Sequence, residues 1–123
     1  MDIESYRQYC LAKPGVTEHT PFGPDTLVMK VSGKMFTLTD LNSFGHIALK
    51  VIPEMGVELR EQYTSVVPAY HMNKMHWINV VMDGAIPDKL VMRWIDNSYD
   101  LVVAGLTKKE REKLEKLGGS GGM

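Results

Sequence analysis

Between Pro68 and Trp77 the chain reads PAYHMNKMHW, a run in which two histidines, an asparagine, a lysine and two large aromatic residues fall within ten positions. These types suit nucleic acid. Lys74, His71 and His76 can meet phosphates, Asn73 carries an amide that can pair with a base edge, and Tyr70 and Trp77 offer faces for stacking. No acidic residue stands between Glu61 and Asp83 to repel a phosphate. Large rings at strand ends usually belong to a core, which weighs against Tyr70 and Trp77. A cluster of polar side chains in a loop has less structural reason to exist, so His71, Asn73, Lys74 and His76 form the candidate site, with Tyr70 at its border.

Three further lysines extend the patch. Lys30 and Lys50 occupy the alternate positions of two strand-like runs, opposite Leu27, Met29 and Val31 in one and Ile47, Leu49 and Val51 in the other. If helices cover the apolar face, both ammonium groups emerge on the open face, with Lys34 at a turn between strands. Lysines also keep an exposed sheet soluble and discourage edge pairing. Four phosphate contacts, from Lys30, Lys34, Lys50 and Lys74, imply weak and strongly salt-dependent DNA binding.

Other chemistry finds less support. His71 and His76 are five apart and no HExxH is present, so neither a metal nor another cofactor is expected. No GxSxG, P-loop or dinucleotide fingerprint appears, and Cys10 lies on the apolar stripe of a helix, where a thiol is normally inert. Asp25 could orient His71 as a base, but a carboxylate in PFGPD more simply fixes a turn. A non-enzymatic protein is expected.

The chain has 123 residues, room for one domain, with 44% hydrophobic and 24% charged residues in an ordinary globular balance. Its net charge of −1 supplies no global attraction to nucleic acid or membrane. No apolar run approaches the ~18 residues of a membrane span, and the start MDIESYRQYC lacks the marks of a signal peptide. With one cysteine there is no internal disulfide, and a cytoplasmic protein without membrane contacts is expected.

These residues need a scaffold. Ile3, Tyr6, Cys10 and Leu11 fall on one face of a short helix capped by Asp2. The two prolines and one glycine of residues 16 to 25 suggest an ordered loop, neither helix nor strand, with Phe22 tucked into the core. Thr26 to Val31 and Met35 to Asp40 read as a hairpin, in which Phe36 and Leu38 share the face opposite Met35, Thr37 and Thr39. Ile47 to Val51 follows as a strand, Pro53 opens a helix bearing Met55, Leu59 and Tyr63, and Pro68 restricts Val66 to Tyr70 to an edge or irregular strand. Trp77 to Met82 is a further strand. Pro87-Asp88 opens a long helix striped by Leu90, Val91, Trp94, Ile95, Leu101 and Val102, with Gly105 suited to a left-handed stop. Thr107 and Glu110 form a capping box for a last helix. The expected fold is α+β, an antiparallel sheet with hairpins and helices packed on one face, over residues 1–117; GGSGGM at 118–123 reads as a flexible tail.

Three segments carry a family resemblance: CLAKPGVTEHTPFGPDTLVMKVSGKMFTL, LREQYTSVVPAYHMNKMHWINV and IDNSYDLVVAGLTKKER, together spanning Cys10 to Arg111. They resemble the MmcQ/YjbR-like family of small bacterial proteins. The resemblance implies a fold similar to the frataxin/CyaY type, whose hairpin-rich sheet has been likened to a double-wing DNA-binding motif. Frataxins bind iron through an acidic ridge, and here the first helix offers only Asp2 and Glu4, so an iron role does not carry over.

The leading expectation is therefore a binding protein that takes DNA on its open sheet face and the Tyr70–Trp77 loop. A protein-interaction adaptor using the same surface through Met72, Met75 and the aromatics is the alternative. A third reading puts a small ligand, or a metal-dependent activity, in a cleft between that loop and PFGPD. A clustered positive potential on the sheet face favours nucleic acid, and a contiguous apolar patch favours a protein partner.

Overall fold

A computed structural model describes residues 1–122, with side chains as far as Leu117; the tail expected over 118–123 lies outside the fully described residues. The element order is α1 (Ile3–Leu11), β1 (Val16–His19), β2 (Thr26–Val31), β3 (Lys34–Asp40), β4 (His46–Lys50), α2 (Pro53–Gln62), β5 (Val66–Pro68), β6 (Trp77–Val81), α3 (Asp88–Ala104) and α4 (Lys108–Gly122). All strands join one six-stranded antiparallel sheet in the order β1-β2-β3-β4-β6-β5. The α+β architecture is as the sequence predicts.

Local chemistry sets the element ends. Asp2 accepts the amide of Ser5 at 2.8 Å to start α1, and the Thr107–Glu110 box closes reciprocally at 3.0 and 3.2 Å. The β2–β3 hairpin turns through Ser32 and Gly33, both with positive φ, the handedness that matches the twist of paired strands. Gly105 does not take the left-handed conformation expected of it, since its φ is −87°. Instead, short bonds from Gly105 N–H to Val102 O and from Leu106 N–H to Val103 O tighten the end of α3, leaving Thr107 in place to cap α4.

The helices meet one face of the sheet. Tyr6 and Cys10 of α1, Leu59 of α2, the Val91, Trp94, Ile95 and Val102 stripe of α3, and Leu114 of α4 pack with Leu27, Met29, Ile47, Leu49, Ile78 and Val80. Burial of this apolar area is the main stabilising contribution to the fold. Ser98 and Tyr99 join the α3 stripe, while Leu90 and Leu101, expected on it, are half-buried.

Three further expectations are corrected. Val16–His19 is not loop but an edge strand, paired with β2 from Val16↔Val31 to His19↔Val28; only Val16 of the four is even partly covered, so no alternation betrays it. Phe22 does not enter the core and stays 69% exposed, because the loop after β1 runs past the sheet on its uncovered side. Leu38 does not face the helices. Met29 pairs with Thr37 and Lys30 with Met35, so β3 carries one extra residue, Phe36, at a bulge. Phe36 and Thr37 therefore both face the helices, Phe36 against the Tyr99 ring at 5.4 Å, and the alternation restarts with Met35 and Leu38 on the opposite face.

Candidate functional site

The face without helices holds a second, smaller apolar cluster. Ala48 of β4, Ala69 and Trp77 are buried there, with Met35, Leu38 and Met72 packed against them. Trp77 lies opposite Lys50 and Ala48 opposite Asn79 in the β4–β6 ladder, so these four share the face that Leu49 and Ile78 do not. The segment from Ala69 to His76 folds back over it in two consecutive tight turns, Met72 N–H to Ala69 O at 3.0 Å and His76 N–H to Asn73 O at 3.1 Å. Asn73 Oδ1 accepts the Met75 amide at 2.9 Å, which fixes the second turn.

Between this loop and the PFGPD loop lies a cleft of about 590 Å³. Its floor is Leu38, Ala48, Asn79 and Trp77; one wall carries Ala69, His71, Met72 and Asn73, the other Phe22 and Asp25. At one end stand Thr26, Asp40 and His46. This volume is in the range of small-molecule sites, and an apolar floor with a few polar groups at the rim is their usual construction. Among the described residues, no lysine or arginine lines it.

The candidate residues separate accordingly. His71 and Asn73 line the cleft, whereas Tyr70, Lys74 and His76 are exposed outside it, Tyr70 to 66%. Tyr70 and Lys74 occupy turn corners, and the Lys74 ammonium sits 5.2 Å from the Tyr70 ring centroid. Trp77 is a sheet anchor, as large rings at strand ends usually are. Lys30 and Lys50 project on the open face, near the end of the sheet where the β2–β3 turn lies, and both are partly buried. Lys34 at the turn is exposed and lies near Glu110, whose carboxyl is held below its ordinary range first by the Thr107 amide and to a lesser extent by Lys34. None of the four lysines lines the cleft.

Asp25 and His71 share the cleft, but no hydrogen bond joins them among the described residues. No hydrogen bond from the Asp25 side chain fixes the turn among the described residues; its backbone carbonyl accepts Leu41 N–H at 2.8 Å, which extends the β2–β3 ladder by one rung. The histidines do not converge either. His46 and His71 reach the cleft, while His19 on β1 is hydrogen-bonded to Thr17 Oγ1 at 2.7 Å. No group of three histidine, cysteine or acidic side chains that could hold a metal occurs among the described residues. Cys10 lies in the main core, where burial lifts its thiol to about 12. No helix among the described residues is long and apolar enough to cross a membrane.

The PAYHMNK loop and PFGPD were legible as walls, but the floor was not. Met35, Leu38, Ala48 and Asn79 come from separate strands, and Asp40 and His46 stand at strand ends where polar residues attract no notice. The one signal is Asn79, an amide midway through the otherwise apolar strand WINVV.

Residues 11–101 match the family model described as YjbR. The chain is 33% identical over 118 residues to the uncharacterized protein YjbR of Escherichia coli, covering 95% of this chain and all of that one. It is 37% identical over 112 residues to the uncharacterized protein YbdF of Escherichia coli, covering 90% and 92% of the two chains. The crystal structure of protein DR2400 of Deinococcus radiodurans, described as a DUF419 domain, shares 39% identity and superposes with a TM-score of 0.86 over 92% of this chain and 87% of that one.

Proposed function

The chain belongs to the YjbR family, and from that footing we propose that it is a binding protein whose ligand seats in the cleft on the helix-free face of the sheet. One observation carries this reading. An apolar floor of Leu38, Ala48 and Trp77 stands on the face the helices leave bare, walled by two ordered loops around about 590 Å³. Apolar surface held concave in this way gains free energy by covering, and a ligand supplies the cover. The DNA expectation is weakened at this place. Among the described residues, two carboxylates and no lysine line the cleft, and phosphates avoid such a rim.

The neutral dye Nile red tests the cleft without knowledge of the natural ligand. Its emission is expected to rise and shift to the blue on titration with the protein. Ala48→Phe and Asn79→Phe, which fill the floor from adjacent strands, should each abolish the signal while leaving the circular dichroism spectrum unchanged. No signal with the wild-type chain, or a signal indifferent to both substitutions, overturns the reading.

A second reading concerns the outer surface. The exposed Tyr70–Lys74 pair beside His76 supports nucleic-acid contact outside the cleft, with Lys30 and Lys50 as further phosphate partners. A titration with duplex and single-stranded oligonucleotides at two salt concentrations, with amide shifts mapped by NMR, separates the two surfaces. Shifts confined to residues 70–76 and the lysine-bearing strand ends support it.

A further inference from the structure

We propose, resting on the cleft as the binding site, that its ligand is a small organic amine: an aryl or branched-alkyl body carrying a protonated nitrogen. Among the described residues, the two acidic or basic side chains of the lining other than histidine are both carboxylates. Asp25 comes from the PFGPD wall and Asp40 from the end of β3, and the Leu41 N–H to Asp25 O bond of 2.8 Å ties their two segments together at one end of the cleft. Asp40 lies opposite Thr26, the residue next to Asp25, so the two acids come from adjacent rungs of the sheet.

Neither carboxylate is compensated. Among the described residues, the ion pairs engage Asp88, Glu4, Glu18 and Asp96, and leave Asp25 and Asp40 without a cation. Asp40 Oδ1 accepts the Asn42 amide at 2.8 Å, which holds the side chain in place and leaves its other oxygen available. Lys30 and Lys50 stand on the same sheet face but at its other end, away from Asp40.

The cleft thus offers apolar surface at its floor and unpaired negative charge at one end. A ligand with a greasy body and a cationic head complements both, and an anionic ligand of the same shape pays for the meeting with the two acids. Hydrogen-bonding side chains at His46, His71, Asn73 and Asn79 can orient polar substituents between the two ends. A bare metal ion fits poorly, since no third acidic, histidine or cysteine ligand joins the pair among the described residues.

Tryptamine and indole-3-propionate form a test pair with one ring system and opposite charge. Amide shifts of the full chain are followed by NMR during titration with each. Tryptamine is expected to move the amides of Leu38, Ala48, Met72 and Asn79 and to bind at least about tenfold more tightly than the propionate, the size of one partly desolvated ion pair. In Asp25→Asn combined with Asp40→Asn the gap should close, and the asparagine at position 40 retains an oxygen for the Asn42 amide, so the turn is kept. Equal affinities in the wild-type chain, or a gap that survives the double substitution, overturn the amine assignment and leave the cleft standing. If neither compound moves these amides, the cleft reading and the amine assignment fall together.

Discussion

Ser98 of α3 donates its hydroxyl hydrogen to the carbonyl of Phe36 at 2.5 Å and accepts the amide of Lys50 at 2.8 Å. The bulge explains why it is needed. Thr37↔Leu49 is the last pair at that end of the β3–β4 ladder, so Phe36 and Lys50 lose their mutual bond and a side chain from the covering helix substitutes for it.

Ser98→Ala removes a fully buried hydroxyl and strands one carbonyl and one amide. A loss of about 1 to 3 kcal/mol is expected, the cost of leaving buried polar groups unsatisfied. Urea unfolding followed by circular dichroism measures it, and a loss under about 0.5 kcal/mol would show that water replaces the hydroxyl without penalty.

Phe36 and Leu38 should respond very differently to truncation. Phe36→Ala opens a cavity in the main core and is expected to cost about 3 to 5 kcal/mol, comparable to Trp94→Ala, whose indole is 4% exposed against Tyr63. Leu38→Gln places an amide on the cleft floor and should cost only about 1 kcal/mol. Comparable losses at Phe36 and Leu38 would argue that both face the helices after all.

That pair also marks what the sequence discloses. Strict alternation put Phe36 and Leu38 on one face, and nothing in KMFTLTD announces that a residue is inserted; the bulge is decided by pairing with β2 and by Ser98, sixty-two positions away. Helices α1, α2 and α3, with the Asp2 cap, the opening prolines of α2 and α3 and most of their stripes, were legible because their signals are local. Strand β1 was not, since VTEH lies on a sheet edge with one partner and almost no buried side chain. In the candidate site, the loop residues were legible through their polar density, whereas the apolar floor includes Leu38, which that same insertion turned outward beside Met35.

Alkali should unfold the protein earlier than its composition suggests. Burial lifts the Cys10 thiol from an ordinary 9.0 to about 12, and burial followed by the hydrogen bond to Asp96 lifts the Tyr9 hydroxyl to about 12. Between pH 9 and 12 the unfolded chain has already released the Cys10 proton while the folded chain still binds it, so stability falls as pH rises, by up to about 1.4 kcal/mol per unit for this one group. Cys10→Ala should therefore show a shallower decline than the wild type when urea midpoints are compared at pH 8, 9.5 and 10.5. Parallel declines would mean that Cys10 is not protected. The same burial predicts negligible reaction with Ellman's reagent at pH 8 until the chain is unfolded.

Salt dependence decides how far the outer lysines act on DNA. Each phosphate contact adds about −0.9 to the slope of log affinity against log salt on a duplex, so Lys30, Lys34, Lys50 and Lys74 acting together give at most roughly −4. The surroundings rank them. Lys34 lies near Glu110 and Lys50 is partly buried beside Trp77, while Lys74 is exposed over Tyr70. Lys74→Gln is therefore expected to make the slope about one unit shallower and Lys34→Gln to change it least, whereas Asn73→Ala should leave the slope alone and alter sequence preference if the amide reads a base. With a net charge of −1, dissociation constants should be micromolar or weaker at physiological salt. Binding that ignores all four substitutions, or that fails to appear at low salt, removes DNA from the outer surface and leaves the cleft as the protein's working site.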